Sequence, residues 1–442
     1  MMAKFLFCLL LGLSVMFMLN SLRRREGVLQ FPALFAGAFV FSIVPQLVNH
    51  VFYPGHLPLR VYQDLGVESG LLMCILCLVA GIAGYRGEPM AAGRLERTVP
   101  EIDVERLFWA GVVLCLVGIW GAAKLAALAG GWKEQFLEGG HYALEWSGAP
   151  VIWVYVAKLL PLGLILCLNS TLVRGCSWKW ALTLLMMLYP LAVIVFLGRR
   201  EMTFDLTLIL LTSLWFHRRW APPQWLSLSV MALGGMFIVL VPYYRSYVNE
   251  TGNIKGAIAQ VDVRAAIEAY ATGERAEGMD NLIIGIPARQ AYPSFFWGTG
   301  FWNKIVAYWV PGQIVGYGLK QRLMVEVGNE DDDVFSRYCG LTCQYGSYPT
   351  GPYSAFCEFW FPGCLLYFVM GRFYRGLWHL AENRQHLGAQ LICVSCALLI
   401  PMAVVRSIQA AFATCLLPVG VLVSVLWLTR DRYPVLVSSE LQ

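Results

Sequence analysis

Long apolar runs recur from one end of the chain to the other, separated by short polar stretches. Runs long enough to cross a bilayer fall at roughly 4–21, 28–53, 66–85, 104–127, 149–170, 180–197, 202–216, 225–243, 353–371, 389–405 and 409–429. The pattern predicts an all-α polytopic membrane protein with about eleven transmembrane helices. One long hydrophilic segment, 244–352, interrupts it. The chain divides into an N-terminal membrane domain (1–243, about eight spans), that loop (244–352) and a C-terminal membrane domain (353–442, about three spans). The opening run is followed, not preceded, by its positive cluster and shows no A-x-A cleavage site, so it reads as a retained first helix. No internal repeat is visible, unlike the paired halves of many transporters.

Composition agrees with the pattern. Of 442 residues, 58% are hydrophobic and 14% charged, where soluble domains carry about a quarter charged. A net charge of +5 implies no large nucleic-acid surface, and no phosphate-cradling glycine loop joins a strand to a helix. Cys74/Cys77 and Cys393/Cys396 fall inside apolar runs, where cysteine behaves as a small hydrophobe. Cys339 and Cys343 lie in the polar loop, where a disulfide is one reading and two thiols the other.

Basic residues orient the spans. Arg23, Arg24, Arg25, Arg86, Arg94, Arg97, Arg174, Lys179, Arg218, Arg219, Arg372, Arg375, Arg384, Arg430 and Arg432 all fall in loops on one side, taken as cytoplasmic. That places the N-terminus outside, the C-terminus inside and the long loop outside. Arg60 and Lys133 are nearly the whole basic content of the opposite short loops. Arg199 and Arg200, in "FLGRREMTF", also fall outside, against the rule.

Gly198, Arg199 and Arg200 precede a predicted helix beginning near Glu201. Free N–H groups at a helix start beside two guanidiniums make an anion site suited to phosphate. The competing reading is an internal ion pair with Glu201 or Asp205. Arg245, Arg289, Arg337 and Arg406 share that side, and Arg406 lies at membrane depth between the last two spans. In "QYGSYPTGPYSAFCEF", Tyr345, Tyr348 and Tyr353 offer aromatic faces for sugar rings. Glu358 is a carboxylate near the bilayer boundary, either a base toward a sugar hydroxyl or a counter-ion to an arginine. His141 is a second base candidate; His50 and His56 also lie near the outer face. The segment 257–270 has helical spacing, with Asp262, Arg264 and Glu268 on its polar side. The aromatic segment 291–312 reads as interfacial or re-entrant. The acidic run "GNEDDDVF" reads as a cation site or, more simply, a solvated turn.

With these residues identified, "FLGRREMTFDLTLILL" resembles the Gly-[Ser/Thr]-Arg-Gly type segment of the Wzy-type polymerases. These are the repeat-unit polymerases of O-antigen and exopolysaccharide synthesis. "PTGPYSAFCEFWFPGCLLYFVMGRFYRG" resembles their later segment through Pro349, Thr350, Glu358, Phe361, Gly363, Gly371 and Gly376. "GTGFWNKIVAYWVPGQI" is similar to their aromatic segment. Arg200 stands where those proteins commonly have glycine, and Gly312 where they have arginine. The resemblance implies a GT-C-like glycosyltransferase in the bacterial inner membrane with no metal, nucleotide or other cofactor. Its substrate would be a polyprenyl-diphosphate-linked oligosaccharide presented on the periplasmic side among membrane lipids. A flippase and a chain-length regulator of the same pathway would be its partners. The diphosphate would be held by Arg199, Arg200, Arg245, Arg289 and Arg406. Glu358 or His141 would assist the acceptor hydroxyl. The alternatives are an O-antigen ligase, related in kind, and a transporter or flippase of lipid-linked glycans. A protease of the exosortase kind would need a histidine near Cys339 or Cys343, and the sequence has none there.

Overall fold

The computed structural model describes residues 1–53, 55, 57–87, 102–128, 131, 150–197, 200–226, 229, 263–264, 277–325, 331–341, 349–382 and 386–430. Their regular structure is helical, with one isolated antiparallel bridge between Ile102 and Arg430 and no strand. The helices, in chain order, begin with α1 (Met2–Leu22), α2 (Phe31–Ala38), α3 (Val44–Phe52), α4 (Leu59–Gln63), α5 (Gly66–Arg86) and α6 (Val104–Leu128). They continue with α7 (Pro150–Ala157), α8 (Leu159–Arg174), α9 (Ser177–Leu197) and α10 (Arg200–Arg218). In the long segment come α11 (Glu277–Ala291), α12 (Thr299–Trp309), α13 (Gly312–Val315), α14 (Tyr317–Leu323) and α15 (Asp331–Cys339). The C-terminal part holds α16 (Gly351–Phe359), α17 (Leu365–Glu382), α18 (Leu387–Ala397), α19 (Leu399–Val405) and α20 (Ile408–Leu428).

Among the described residues eight segments are long and apolar enough to cross a membrane: Met2–Leu22, Phe31–Phe52, Gly66–Arg86, Val104–Leu128, Ile152–Arg174, Ser177–Val195, Leu387–Val405 and Ile408–Leu428. The chain is thus helical and polytopic in character. Three expected spans differ. The run at 225–243 lies largely outside the described residues. Helix α10 forms but carries Arg200, Glu201, Asp205 and Arg218, which shortens its apolar stretch. The run at 353–371 is not one helix: α16 stops at Phe359, Trp360 turns with φ 57°, and a 3₁₀ turn with Pro362 leads into α17. A proline without an N–H and a left-handed residue both end a helix.

Two helix pairs approach closely because glycines line their seams. A methyl group on Gly163 of α8 would stand 2.6 Å from the backbone nitrogen of Cys115, and one on Gly118 of α6 would stand 2.6 Å from that of Leu160. In the pair α5 and α17, a methyl on Gly371 would meet the Gly81 carbonyl oxygen at 2.2 Å, and one on Gly84 the Phe368 carbonyl at 2.1 Å. Small residues let apolar helices gain dispersion contact where no hydrophobic driving force separates them from lipid.

The long segment is not wholly a hydrophilic loop. Helix α11 buries Leu282, Ile283, Ile286 and Ala288 completely and packs on α5 and α15. Its apolar run "NLIIGIPA" is too short to span a bilayer but long enough for a core helix. In α15, Val334 and Phe335 are buried beside exposed Asp333, so the described part of the acidic run is the outer face of an amphipathic helix.

Contacts also sort the ends of the bundle. At one end Gln224 donates to the Arg23 carbonyl at 3.0 Å and Arg219 to the Glu382 carbonyl at 2.6 Å. Arg86 covers the Phe17 ring and Lys179 pairs with Glu105. At the other, Arg60 covers the ring of Tyr338 and donates to its carbonyl at 2.8 Å. There also His50 Nε2 lies 3.4 Å from Asp280. Tyr338 donates to Asp64 at 2.6 Å; burial, that bond and the Asp64 charge push its phenol well above the usual tyrosine range.

The glycine seams generate a stability prediction. Gly371→Val should lower the thermal midpoint of the detergent-purified protein, by about 2 kcal/mol or more of stability, because backbone must separate from backbone. Gly420→Ala, where an added methyl meets nothing within 4 Å, should leave the midpoint unchanged or slightly raised. Circular dichroism melts of the two variants check this.

Candidate functional site

The candidate site is built on two interrupted helices. Helix α16 ends at Phe359 and leaves its last carbonyls without partners; α12 begins at Thr299 and leaves its first N–H groups likewise. One strap, residues 292–298, serves both. Phe296 N donates to the Cys357 carbonyl at 2.9 Å and Trp297 N to the Glu358 carbonyl at 3.0 Å. Trp297 (φ 51°) and Gly298 (φ 90°) then turn the chain into α12. Gly298 N donates to Glu358 Oε2 at 2.8 Å, and the Gly300 N–H also faces that carboxylate. Glu358 therefore neutralises the positive start of α12.

Its other oxygen accepts from Gln409 Nε2 at 2.8 Å, and the same amide nitrogen donates to the Ser354 carbonyl at 3.0 Å. Ser354 Oγ in turn accepts from Ile408 N at 3.1 Å, while Ser407 Oγ caps α20 by accepting from Ala410 N at 2.9 Å. Glu358 is completely buried. A carboxylate there is tolerable because both oxygens are engaged.

Arg289, also completely buried, joins the same knot from the end of α11. Its Nε donates to the Tyr353 hydroxyl at 3.2 Å, its Nη1 to Ser294 Oγ at 2.6 Å and to the Ser294 carbonyl, and its guanidinium lies 4.7 Å from the Phe296 ring centre. The charges of Arg289 and Glu358 interact without a direct ion pair.

A second charged group flanks the same hairpin tip. Between α19 and α20, Arg406 is still bonded back to the Met402 carbonyl and Ser407 turns to extended backbone, and Arg406 Nη2 donates to Glu201 Oε2 at 3.0 Å. Lys158, at the break between α7 and α8, and Asp205, one turn below Glu201, lie within electrostatic reach of that pair. The Lys158 ammonium is 5.9 Å from the Tyr155 ring, which touches Trp309; Trp309 donates to the Ala413 carbonyl at 2.8 Å. The tip 406–409 thus reaches one charged group through Arg406 and the other through Gln409.

Of the residues expected from sequence, the structure gathers Glu358, Arg289 and Tyr353 into one buried network and sets Arg406 beside it. Arg289 and Glu358 are occupied internally: their described contacts hold helix ends together and leave no accessible surface for a ligand. Tyr353 is likewise buried, against Gly285 and Arg289, and offers no open face to a sugar ring. Arg200 opens α10 one residue before Glu201, with only its backbone described. Arg199, Arg245, His141, Tyr345 and Tyr348 lie outside the described residues, as do Cys343 and His56. Sequence reasoning passed over Gln409, Gly300 and Lys158. Lys158 carried a legible signal, a charge inside an otherwise apolar run; Gln409 and Gly300 carried none, since their part depends on tertiary contact. Among the described residues no group of three or more His, Cys, Asp or Glu is placed to hold a metal. The chain matches no protein-family model, no curated protein and no solved structure.

Two substitutions test the network. Gly300→Ala would place a methyl 2.0 Å from Glu358 Oε1, and Gln409→Leu would strip one donor from a buried carboxylate. Each should cost about 1–3 kcal/mol of stability, read by thermal unfolding. A midpoint unchanged in both would mean that Glu358 is not the anchor of the strap.

Proposed function

We propose that the chain is a glycosyltransferase of lipid-linked glycans: a polymerase joining polyprenyl-diphosphate-linked repeat units at the outer face of a bacterial inner membrane. One observation carries this reading. At one end of an apolar bundle, Arg406 and the Arg200 helix start meet around Glu201, next to the hairpin tip that holds Glu358. An arginine with accessible surface at such a place, as Arg406 has, suits a diphosphate anchored by a lipid tail. Their charge would stabilise the leaving diphosphate as the anomeric C–O bond breaks, and an acceptor hydroxyl would attack. The diphosphate linkage supplies the driving force, consistent with a sequence without a nucleotide-binding loop.

The internal engagement of Arg289 narrows the proposed diphosphate contacts to Arg199, Arg200, Arg245 and Arg406. Glu358 acts in this reading by fixing the site's walls, and its use as a base would require the strap to open. A carrier of the same anionic lipid-linked glycan is the second reading, favoured by the helix breaks at Lys158 and Arg406. Broken helices at binding sites are a transporter device as well.

In a null strain complemented with point variants, Arg200→Ala and Arg406→Ala should each abolish polymer and leave single lipid-linked repeat units accumulating. Lysine replacements should rescue poorly, because an ammonium lacks the bidentate fork. Long unattached chains would indicate a ligase instead. Polymerisation of lipid-linked repeats by the purified protein separates the enzyme from the carrier. Near-normal polymer from Arg199→Ala, Arg200→Ala and Arg406→Ala together would remove the reading.

A further inference from the structure

The proposed function gives the cysteines no part, yet one pair of thiols meets across two helices. Cys396 of α18 and Cys415 of α20 bring their sulfurs to 3.8 Å, and either thiol can donate to the other. The two helices pack directly on one another. Bonded sulfurs lie about 2 Å apart, so closing a disulfide needs an approach of roughly another 2 Å. Side-chain rotation with a small helix shift supplies that.

The surroundings permit the shift and give an oxidant a route. Helices α18 and α20 are not locked backbone to backbone. A methyl on Gly388 of α18 would meet only side-chain carbons of Leu426 and Ile102, at 3.2 Å and beyond, and one on Gly420 of α20 would meet nothing within 4 Å. Cys396 is buried, and its carbonyl accepts from the Tyr374 hydroxyl, which holds that side of the pair in place. Cys415 is only half-buried. Phe412 and Leu416, on the same face of α20, are exposed, and all three lie in the apolar span Ile408–Leu428. A reagent therefore reaches Cys415 from an apolar flank and must be lipid-soluble. Cys115 and Cys167 contrast with this: both are completely buried in the glycine seam of α6 and α8.

We infer that Cys396 and Cys415 are a redox-responsive pair that closes to a disulfide across the last hairpin. The inference does not depend on the proposed function. Each thiol gives up one proton and one electron, and a sulfur–sulfur bond forms. A membrane-borne quinone takes both protons and both electrons and becomes a quinol. A dithiol reductant reverses the step by thiol–disulfide exchange. The ring so closed encloses α19, the turn at Ser407 and the opening turns of α20. Cys415 lies about 12 Å along the helix from Ser407. The bond ties together the two arms of the hairpin whose tip carries Arg406 and Gln409, and so clamps the angle between them.

The test uses the unaltered full-length protein in nanodiscs, with decylubiquinone as the lipid-soluble oxidant and tetrathionate as the charged one. Remaining thiols are then alkylated in denaturant and the peptides mapped by mass spectrometry. The expected product is a Cys396–Cys415 cross-link, formed several-fold faster with the quinone than with tetrathionate and lost on adding dithiothreitol. Its formation should raise the thermal midpoint by about 3 °C or more, because the closed ring restricts the unfolded chain. Cys396→Ser and Cys415→Ser should each lose both the cross-link and the shift. Cys393→Ala, one turn away on α18, should keep both. Absence of this cross-link in the unaltered protein, or its appearance only after unfolding, would overturn the inference whether or not the serine variants fold. A faster reaction with tetrathionate would overturn the apolar route, and a cross-link that leaves the midpoint unmoved would overturn the clamp.

Discussion

Interrupted helices in an apolar bundle must find partners for the backbone groups they release, because lipid offers none. The carboxylate of Glu358 meets that constraint where it is sharpest. Two helix ends, one bare of donors and one bare of acceptors, are brought together by the strap 292–298. A single acidic side chain then completes what the backbone pairing leaves over. Gln409 ties the last hairpin to the same atom, so three parts of the chain separated by more than fifty residues share one polar anchor. The buried guanidinium of Arg289 is the matching positive element; it donates to two hydroxyls and a carbonyl and lies over a ring. The arrangement avoids an isolated buried charge without requiring a direct ion pair.

The helical, multi-span character of the chain was legible in its apolar runs, because length and hydropathy are local properties. So was the separation of basic residues: Arg23, Arg86 and Arg219 lie at one end, Arg60 and Arg406 at the other. The division of 353–371 was harder to read. Pro362 was visible, but the decisive turn is at Trp360, a residue type that rarely takes a positive φ. The buried helix Glu277–Ala291 was hidden by the polar residues around a short apolar run. Its burial is fixed by α5, which lies some two hundred residues earlier in the sequence.

The candidate site divides along the same line. Arg406 and Glu358 stood out because charge near the bilayer is conspicuous in a sequence. Their roles did not: one faces an accessible ion pair and the other closes a buried network. Charge type reveals cost, whereas burial and hydrogen bonding reveal what offsets it. Cysteine pairs in the apolar runs show the reverse case. Cys115 and Cys167 lie where α6 and α8 touch, each within reach of a carbonyl on the other helix, and serve as small packing residues.

The glycine-lined seams have a mechanical corollary. Helices whose backbones touch cannot slide without steric conflict, so α5 with α17, and α6 with α8, behave as two stiff beams. Lys158 rides on the second beam. Arg406 instead tops a hairpin whose two helices are joined through the extended residue Ser407. Any change in spacing between these cations is therefore governed by bending at that link, with the beams as the stationary frame.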